Sequence, residues 1–280
     1  MKKRFKKIYV EITNYCDMNC SFCKKDNRSF KTMTKENFNE ILEKTADFTD
    51  YYNLYVKGEP LIHKDLDDIT EMLWKKNKNT VLSTNGFNIK EKTENLRMLD
   101  KIYRINISLH SFTYDNIYKK SLDSYLKEIL DFITLYKNKF YISLRLWNQN
   151  VENSNKEILD FFRTIYNFTP ENVTNSIKIS DKLYFNFDSR FEWPSAESSH
   201  FTEKGFCYGL RDHIAVLSDG KVVPCCLDSD GIINLGNLYR ENFSDILNNK
   251  RTLKIYNGFS SGNAVELLCK KCSFKDHLRK

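Results

Sequence analysis

Apolar residues follow two rhythms along this chain. Short runs rich in β-branched and aromatic residues stand at 8–12 (IYVEI), 53–56 (NLYV), 80–84 (TVLST), 104–109 (RINISL), 141–146 (YISLRL) and 176–180 (SIKIS). Between them, segments 36–48, 65–76, 90–99, 121–137 and 153–166 place apolar residues three and four positions apart, which gathers them on one side of an α-helix. Strand and helix in repeated alternation predict an α/β fold with a parallel sheet. In such folds the chemistry collects at the carboxyl ends of the strands. Polar motifs do follow the predicted strands: CDMNC after the first, KGEP after the second, TNG after the third, LHS after the fourth and WNQN after the fifth.

Past residue 181 the rhythm changes. The stretch DKLYFNFDSRFEWPSAESS shows no helical period and reads as a connector, in which Arg190, Phe191, Glu192, Trp193 and Pro194 would border a substrate cavity. The tail from about 201 holds five of the eight cysteines, a predicted hairpin turning at Asp219-Gly220 and a predicted helix near 241–256.

Composition narrows the setting. Hydrophobic residues make up 41% and charged residues 29% of 280, with 9 Gly and 4 Pro, a globular rather than disordered balance. No apolar run approaches the roughly 20 residues needed to cross a bilayer, and the basic start turns polar before a signal-peptide core could form. The chain reads as cytoplasmic, with no membrane partner. In that reducing compartment closely spaced cysteines point to metal or redox chemistry rather than disulfides. The net charge of +7 is spread along the chain, with small clusters at Lys2, Lys3, Arg4, Lys6, Lys7 and at Lys270, Lys271, Lys275, Lys280. It reads as a solvated surface, and nucleic acid is not expected as a partner.

Cys16, Cys20 and Cys23 form C-x3-C-x2-C, with Phe22 just before the last. Three thiolates on a tight loop suit a cubane cluster and leave one iron open to bind a further ligand. A zinc site is the alternative, with His63 or His110 as fourth ligand. With the polar strand ends behind it, the cysteine spacing resembles that of the radical S-adenosylmethionine (SAM) superfamily, and the resemblance spans nearly the whole chain. It implies a partial (β/α)6 TIM-like barrel, a [4Fe-4S] cluster on Cys16, Cys20 and Cys23, and SAM on the open iron. Cleavage would give methionine and a 5′-deoxyadenosyl radical that abstracts hydrogen from substrate; the alternatives are a zinc-stabilised nucleic-acid or protein-binding module, or a cluster-bearing redox protein without SAM chemistry. Gly58, Glu59 and Pro60, with Lys57 in place of a first glycine, resemble the family's GGEP motif and would meet the SAM amino group. By the same resemblance Ser83, Thr84 and Asn85 line the rim. Ser108 and His110 would contact the SAM carboxylate or ribose, Arg145 its carboxylate, and Phe22 its adenine, with Asn148 a further candidate.

In the tail, Cys207, Gly220 and Cys225 stand as C-x12-G-x4-C, followed by Cys269 and Cys272 as C-x2-C. This resembles the opening of a SPASM domain. With too few cysteines for two clusters, it resembles the shorter, twitch-type variant, a small α+β domain with one auxiliary [4Fe-4S] cluster on Cys207, Cys225, Cys269 and Cys272. A cluster saturated by four thiolates suits electron transfer; a four-cysteine zinc site is the alternative. Cys226 stays unassigned, either a packing cysteine or an alternative ligand or acid/base thiol. The expected organisation is a core over 1–195 and a cluster domain over 196–280. Expected partners are a peptide or small-molecule substrate and a reductant such as flavodoxin or ferredoxin. The first predicted strand lies so close to residue 1 that no leader-binding domain of the kind found in many peptide-modifying relatives is expected ahead of it.

Overall fold

The computed structural model describes residues 3–24, 27–112, 120–149, 155–168 and 175–278. Lys2, Lys280, Asn150 at the end of WNQN, and residues 153 and 154 of the fifth predicted helix lie outside them. Strand and helix alternate as β1 (Lys7–Val10), α1 (Lys35–Thr45), β2 (Tyr51–Asn53), α2 (Leu66–Lys75), β3 (Asn79–Thr84), α3 (Ile89–Thr93), β4 (Arg104–Ser108), α4 (Leu122–Tyr136), β5 (Tyr141–Leu146) and α5 (Lys156–Arg163). Then come strands β6 (Ser176–Lys178), β7 (Leu183–Phe187), β8 (His213–Val216), β9 (Lys221–Val223) and β10 (Gly236–Asn237), and helices α6 (Phe243–Asn248), α7 (Lys250–Ser260) and α8 (Leu267–Lys270).

All described strands share one sheet, ordered β10-β9-β8-β1-β2-β3-β4-β5-β7-β6. From β8 to β7 every neighbouring pair is parallel. β6, β9 and β10 pair antiparallel at the two edges. The fold is the expected α/β class.

Period-2 alternation gives each strand two different faces. Ile8, Val10, Tyr52, Leu54, Ile105, Ile107, Ile142 and Leu144 are fully excluded from water and join the helices in one large core, each such side chain contributing about 1.5–3 kcal/mol. The helices start where the chain supplies caps: Thr34 Oγ1 accepts the Asn37 amide at 3.2 Å, and Ser121 Oγ accepts that of Ser124 at 3.2 Å. The other face of the sheet bears polar residues, Lys7, Asn53, Arg104, Asn106, Ser143 and Arg145 among them, and lines the hollow of the partial barrel.

Three expectations need correction. SIKIS supplies β6 only as an antiparallel edge, and the sixth parallel strand of the core is β7, inside the stretch read as a connector. Leu183, Phe185 and Phe187 are buried while Tyr184 and Asn186 are half-buried, a strand alternation that a test for helical period passes over. The predicted helix at 90–99 shrinks to α3 and a 3-10 turn, Leu99–Lys101. The Asp67 carboxylate takes the Arg97 and Met98 amides at 3.0 Å each, so these no longer serve a helix. The helix near 241–256 is two, divided at Asn249, which ends α6 and caps α7 by accepting the Thr252 amide at 2.8 Å. The hairpin is as expected: β8 and β9 pair antiparallel and Gly220 turns with φ +82.

Candidate active site

The loop leaving β1 carries the first three cysteines, and polar bonds shape it. Asn14 closes its base, donating from Nδ2 to Ser29 O at 3.0 Å and accepting the Lys31 amide at 2.6 Å. Arg28 grips Glu11 with two bonds of 2.8 Å, and Glu11 also accepts the Ser218 amide at 3.1 Å. Within the loop the Cys23 amide reaches Cys20 O at 2.9 Å. Lys24 pairs with Asp230 at 2.5 Å and donates to Pro194 O at 3.2 Å, and Trp193 Nε1 donates to Phe22 O at 3.2 Å. The cysteine loop is therefore fastened both to the connector and to the tail.

The second strand end is pressed against it. Gly58 adopts φ +76, and a Cβ there would stand 2.3 Å from Thr13 O and 2.8 Å from Tyr15 O, so both backbone and space call for glycine. Its neighbour Glu59 is 1% exposed. One carboxylate oxygen accepts the Leu61 amide at 3.1 Å, capping the 3-10 turn Pro60–Ile62, and the other accepts the Asn85 amide at 2.8 Å. Burial raises this carboxyl above the usual range, while Lys92 and these amides oppose the shift. Asn85 Nδ2 donates to Asp17 at 2.9 Å, and Asp17 pairs with Lys92 at 2.6 Å. Strand ends two and three thus share one buried network with the cysteine loop.

Cys16, Cys20 and Cys23 line a cavity of about 530 Å³ together with Phe22, Gly58, Glu59, Thr84, Asn85 and Ser108. Pro60 stands behind it as the first residue of the turn that Glu59 caps. His110 and Arg145 do not line it. His110 is 6% exposed, its ring 5.1 Å from that of Phe22, and Nδ1 lies 3.1 Å from Arg145 O. Arg145 faces the barrel hollow, donating to Ser83 Oγ at 3.4 Å and lying 4.5 Å over Trp147, while Asn148 is wholly buried. His63 serves the backbone, with Nε2 2.8 Å from Met33 O and Nδ1 accepting the Asp65 amide at 3.1 Å.

In the tail, Cys207, Cys225, Cys269 and Cys272 are half-buried and feel one another electrostatically. Gly209 sits between the first two: a Cβ there would lie 3.6 Å from Cys207 Sγ and 3.7 Å from Cys225 Cβ. Cys226 turns the other way, toward the hollow, packed against the small cluster of Tyr9, Ala215, Leu217 and Val223 and within electrostatic reach of Lys7 and Arg145.

The donor sets fit iron–sulfur clusters. Burial pushes the Cys16 thiol up to about 12 and Cys207 to about 11, so a bound cation is what would hold these sulfurs as thiolates. N–H groups already point at them: Met18 N and Asn85 Nδ2 at Cys16 Sγ, 3.5 and 3.7 Å away, and Gly209 N at Cys207 Sγ, 3.4 Å away. Among the described residues no three His, Cys, Asp or Glu side chains draw together tightly enough to grip a single metal ion; the rim cysteines surround a cavity instead.

A half-closed barrel of parallel strands, with a three-thiol loop over its carboxyl rim and a four-thiol nest beside it, has the build of a SAM-dependent iron–sulfur enzyme. Residues 10–164 match the radical SAM superfamily, and residues 207–273 match an iron–sulfur cluster-binding (SPASM) domain. The chain belongs to the radical SAM superfamily, whose cofactors are SAM and iron–sulfur clusters. It is 25% identical over 265 residues to the GTP 3′,8-cyclase of Helicobacter pylori (strain HPAG1), spanning 80% of this chain and 81% of that one. Among solved structures it resembles BtrN in complex with AdoMet and 2-DOIA, with TM-score 0.60 and 19% identity over 98% of this chain and 94% of that one. It also resembles anSMEcpe with bound AdoMet and Cp18Cys peptide, with TM-score 0.63 and 14% identity over 96% and 86% of the two chains. At such identities these two structures speak for the fold.

Sequence reasoning found the cysteines and the strand-end motifs but missed Asn14, the Asp17–Lys92 pair, the Glu11–Arg28 pair and Asp230. Each depends on a partner distant in the chain, for which no local spacing is a sign.

Proposed function

We propose that this enzyme reductively cleaves SAM to methionine and a 5′-deoxyadenosyl radical, which abstracts hydrogen from a peptide or small-metabolite substrate while an auxiliary cluster carries electrons. Cys16, Cys20 and Cys23 would hold the SAM-binding cluster, three ligands leaving one iron for the cofactor. Gly58 and Glu59 offer an acceptor-rich edge suited to an ammonium group. The Leu61 and Asn85 amides hold that carboxylate in place before any ligand arrives. Phe22 gives the same cavity an aromatic wall. Cys207, Cys225, Cys269 and Cys272 would hold the auxiliary cluster within a tail unit beginning near residue 196, and their number leaves it no open site. A cytoplasmic flavodoxin or ferredoxin would serve as reductant.

The observation that carries this reading is the single cavity shared by all three rim cysteines, the Gly58-Glu59 edge and Asn85. Related proteins act on or bind different things: one is a GTP cyclase, one is seen with 2-DOIA and one with a peptide. Kinship therefore leaves the substrate class open between small molecule and peptide. Electron paramagnetic resonance of the anaerobically reconstituted, dithionite-reduced protein tests the cofactor site. SAM should shift the spectrum of the reduced rim cluster in the wild type, and Cys16→Ala should abolish the shift. An unchanged wild-type spectrum would overturn the reading.

A further inference from the structure

The hollow of the barrel carries a concentration of positive charge that the cysteine cavity does not use. Lys7 from β1, Arg104 from β4 and Arg145 from β5 line a cavity of about 300 Å³ with no carboxylate on its wall. The two arginines and Asn106 also line an adjoining cavity of about 620 Å³ that reaches β7 and the C-terminal turn. Among the described residues none of the three cations lies within ion-pair distance of an acidic side chain, although Lys6 beside them takes Asp212 at 2.7 Å. The larger cavity has two acids on its wall, Asp276, which lies 3.4 Å from His200 Nε2, and Asp188, which accepts the Ser189 amide at 2.8 Å; the smaller one has none.

The guanidinium groups are held by aromatic rings rather than by counter-ions. Arg104 lies 5.5 Å from the Tyr141 centroid and 5.9 Å from that of Tyr103, and its buried Nε has no hydrogen-bond partner. Arg145 lies 4.5 Å over Trp147. Stacking fixes a guanidinium plane while leaving its N–H edge free for a planar or tetrahedral oxyanion. The cations also sense one another: after burial, Arg145 and Arg104 help to hold the Lys7 ammonium below its ordinary value. Like charges gathered in a hollow are unfavourable unless an anion joins them.

We propose that this hollow binds an anionic group of the substrate, a carboxylate or a phosphate, on Arg104 and Arg145 with Lys7 as a third positive charge. What happens to the bound molecule rests on the radical reading above; that it is an anion rests on the hollow alone. Arg145 also donates to Ser83, which lines the cysteine cavity. An anion on Arg145 therefore leaves the rest of its molecule at the wall that both cavities share.

Calorimetric titration of the reconstituted holoenzyme with inorganic phosphate and, separately, with succinate tests this, with glycerol as the neutral control. At least one anion should bind saturably at millimolar concentration, weaken with added salt, and lose about tenfold in affinity in Arg104→Gln, the size of one charge-assisted contact. If that variant does not fold, Lys7→Gln should show a loss in the same direction. Phosphate binding alone would assign a phosphorylated substrate, and succinate binding alone a carboxylate. Saturable binding of neither anion, or binding unchanged in a folded variant, would overturn the proposal. Release of 5′-deoxyadenosine by the wild type, measured in parallel, separates the two ideas. With it, a failure to bind anions sinks only the anion site; without it, an anion site stands while the radical reading falls.

Discussion

At Gly58 a single methyl group would collide with the carbonyl oxygen of Thr13, 2.3 Å from where it would sit. The left-handed φ of +76 adds strain for any L side chain. Gly58→Ala should therefore cost about 2 kcal/mol or more, read as a lower urea midpoint; an unchanged midpoint would show that the cysteine loop is free to move away. Residue-scale electrostatics also set a pH dependence. Burial, and then the Lys7 ammonium, push the His213 imidazole down to about 4, whereas in the unfolded chain it titrates near ~6.5. The unfolded state therefore takes up a proton first. The stabilisation is complete above ~6.5 and is lost as pH falls toward the folded value, at up to about 1.4 kcal/mol per pH unit. Between pH 7 and pH 5 the wild type should lose stability more steeply than His213→Gln in urea melts, and parallel slopes would refute the assignment. The rim cysteines stood out by spacing because all three lie within one short stretch of the chain. Glu11, Asn14 and Asp17 could not, since the partners that give them meaning lie at 28, 29 and 92.

β7 shows what periodicity reveals about an element and what it conceals. LYFNF alternates as a strand should, yet Asp and Ser surround it and it follows the weaker run SIKIS, so the edge strand stands out and the buried one reads as connector. Phe185 is wholly buried between β7 and α5, its ring 5.4 Å from that of Phe162. Phe185→Ala should cost about 3–5 kcal/mol by urea denaturation, whereas a loop position would give less than about 1. The α-helices were legible as amphipathic periods, but their ends were not. Asp67 and Asn249 fix those ends by taking particular amides, a choice made by tertiary packing rather than by local propensity.

Across the whole molecule, the tail is joined to the core through the sheet itself. β8 pairs with β1 over four residues, so the strand that leads into the rim cysteines lies beside the strand that follows Cys207. Lys24, next to Cys23, meets Asp230 in the tail with side chains 20% and 10% exposed. Asp230→Asn should therefore destabilise by about 1–3 kcal/mol. Lys24→Met in that background should add little, a coupling that a double-mutant cycle detects and that fully additive losses would exclude. The alternation of strands and helices made the parallel sheet foreseeable, and the family resemblance carried by the cysteine spacing implied the barrel and the cofactors. The charged hollow was not, because Lys7, Arg104 and Arg145 lie far apart in sequence and only the closing of the sheet brings them together.

The central claim is that Cys16, Cys20 and Cys23 hold the cluster at which SAM is cleaved. The direct measurement is 5′-deoxyadenosine released from SAM and dithionite by anaerobically reconstituted protein, alongside its iron content. The wild type should carry about eight irons and form the nucleoside, and replacing the three cysteines by Ala should leave about four irons and no nucleoside. Nucleoside formation surviving in the triple variant, or absent from fully loaded wild type, would contradict the account.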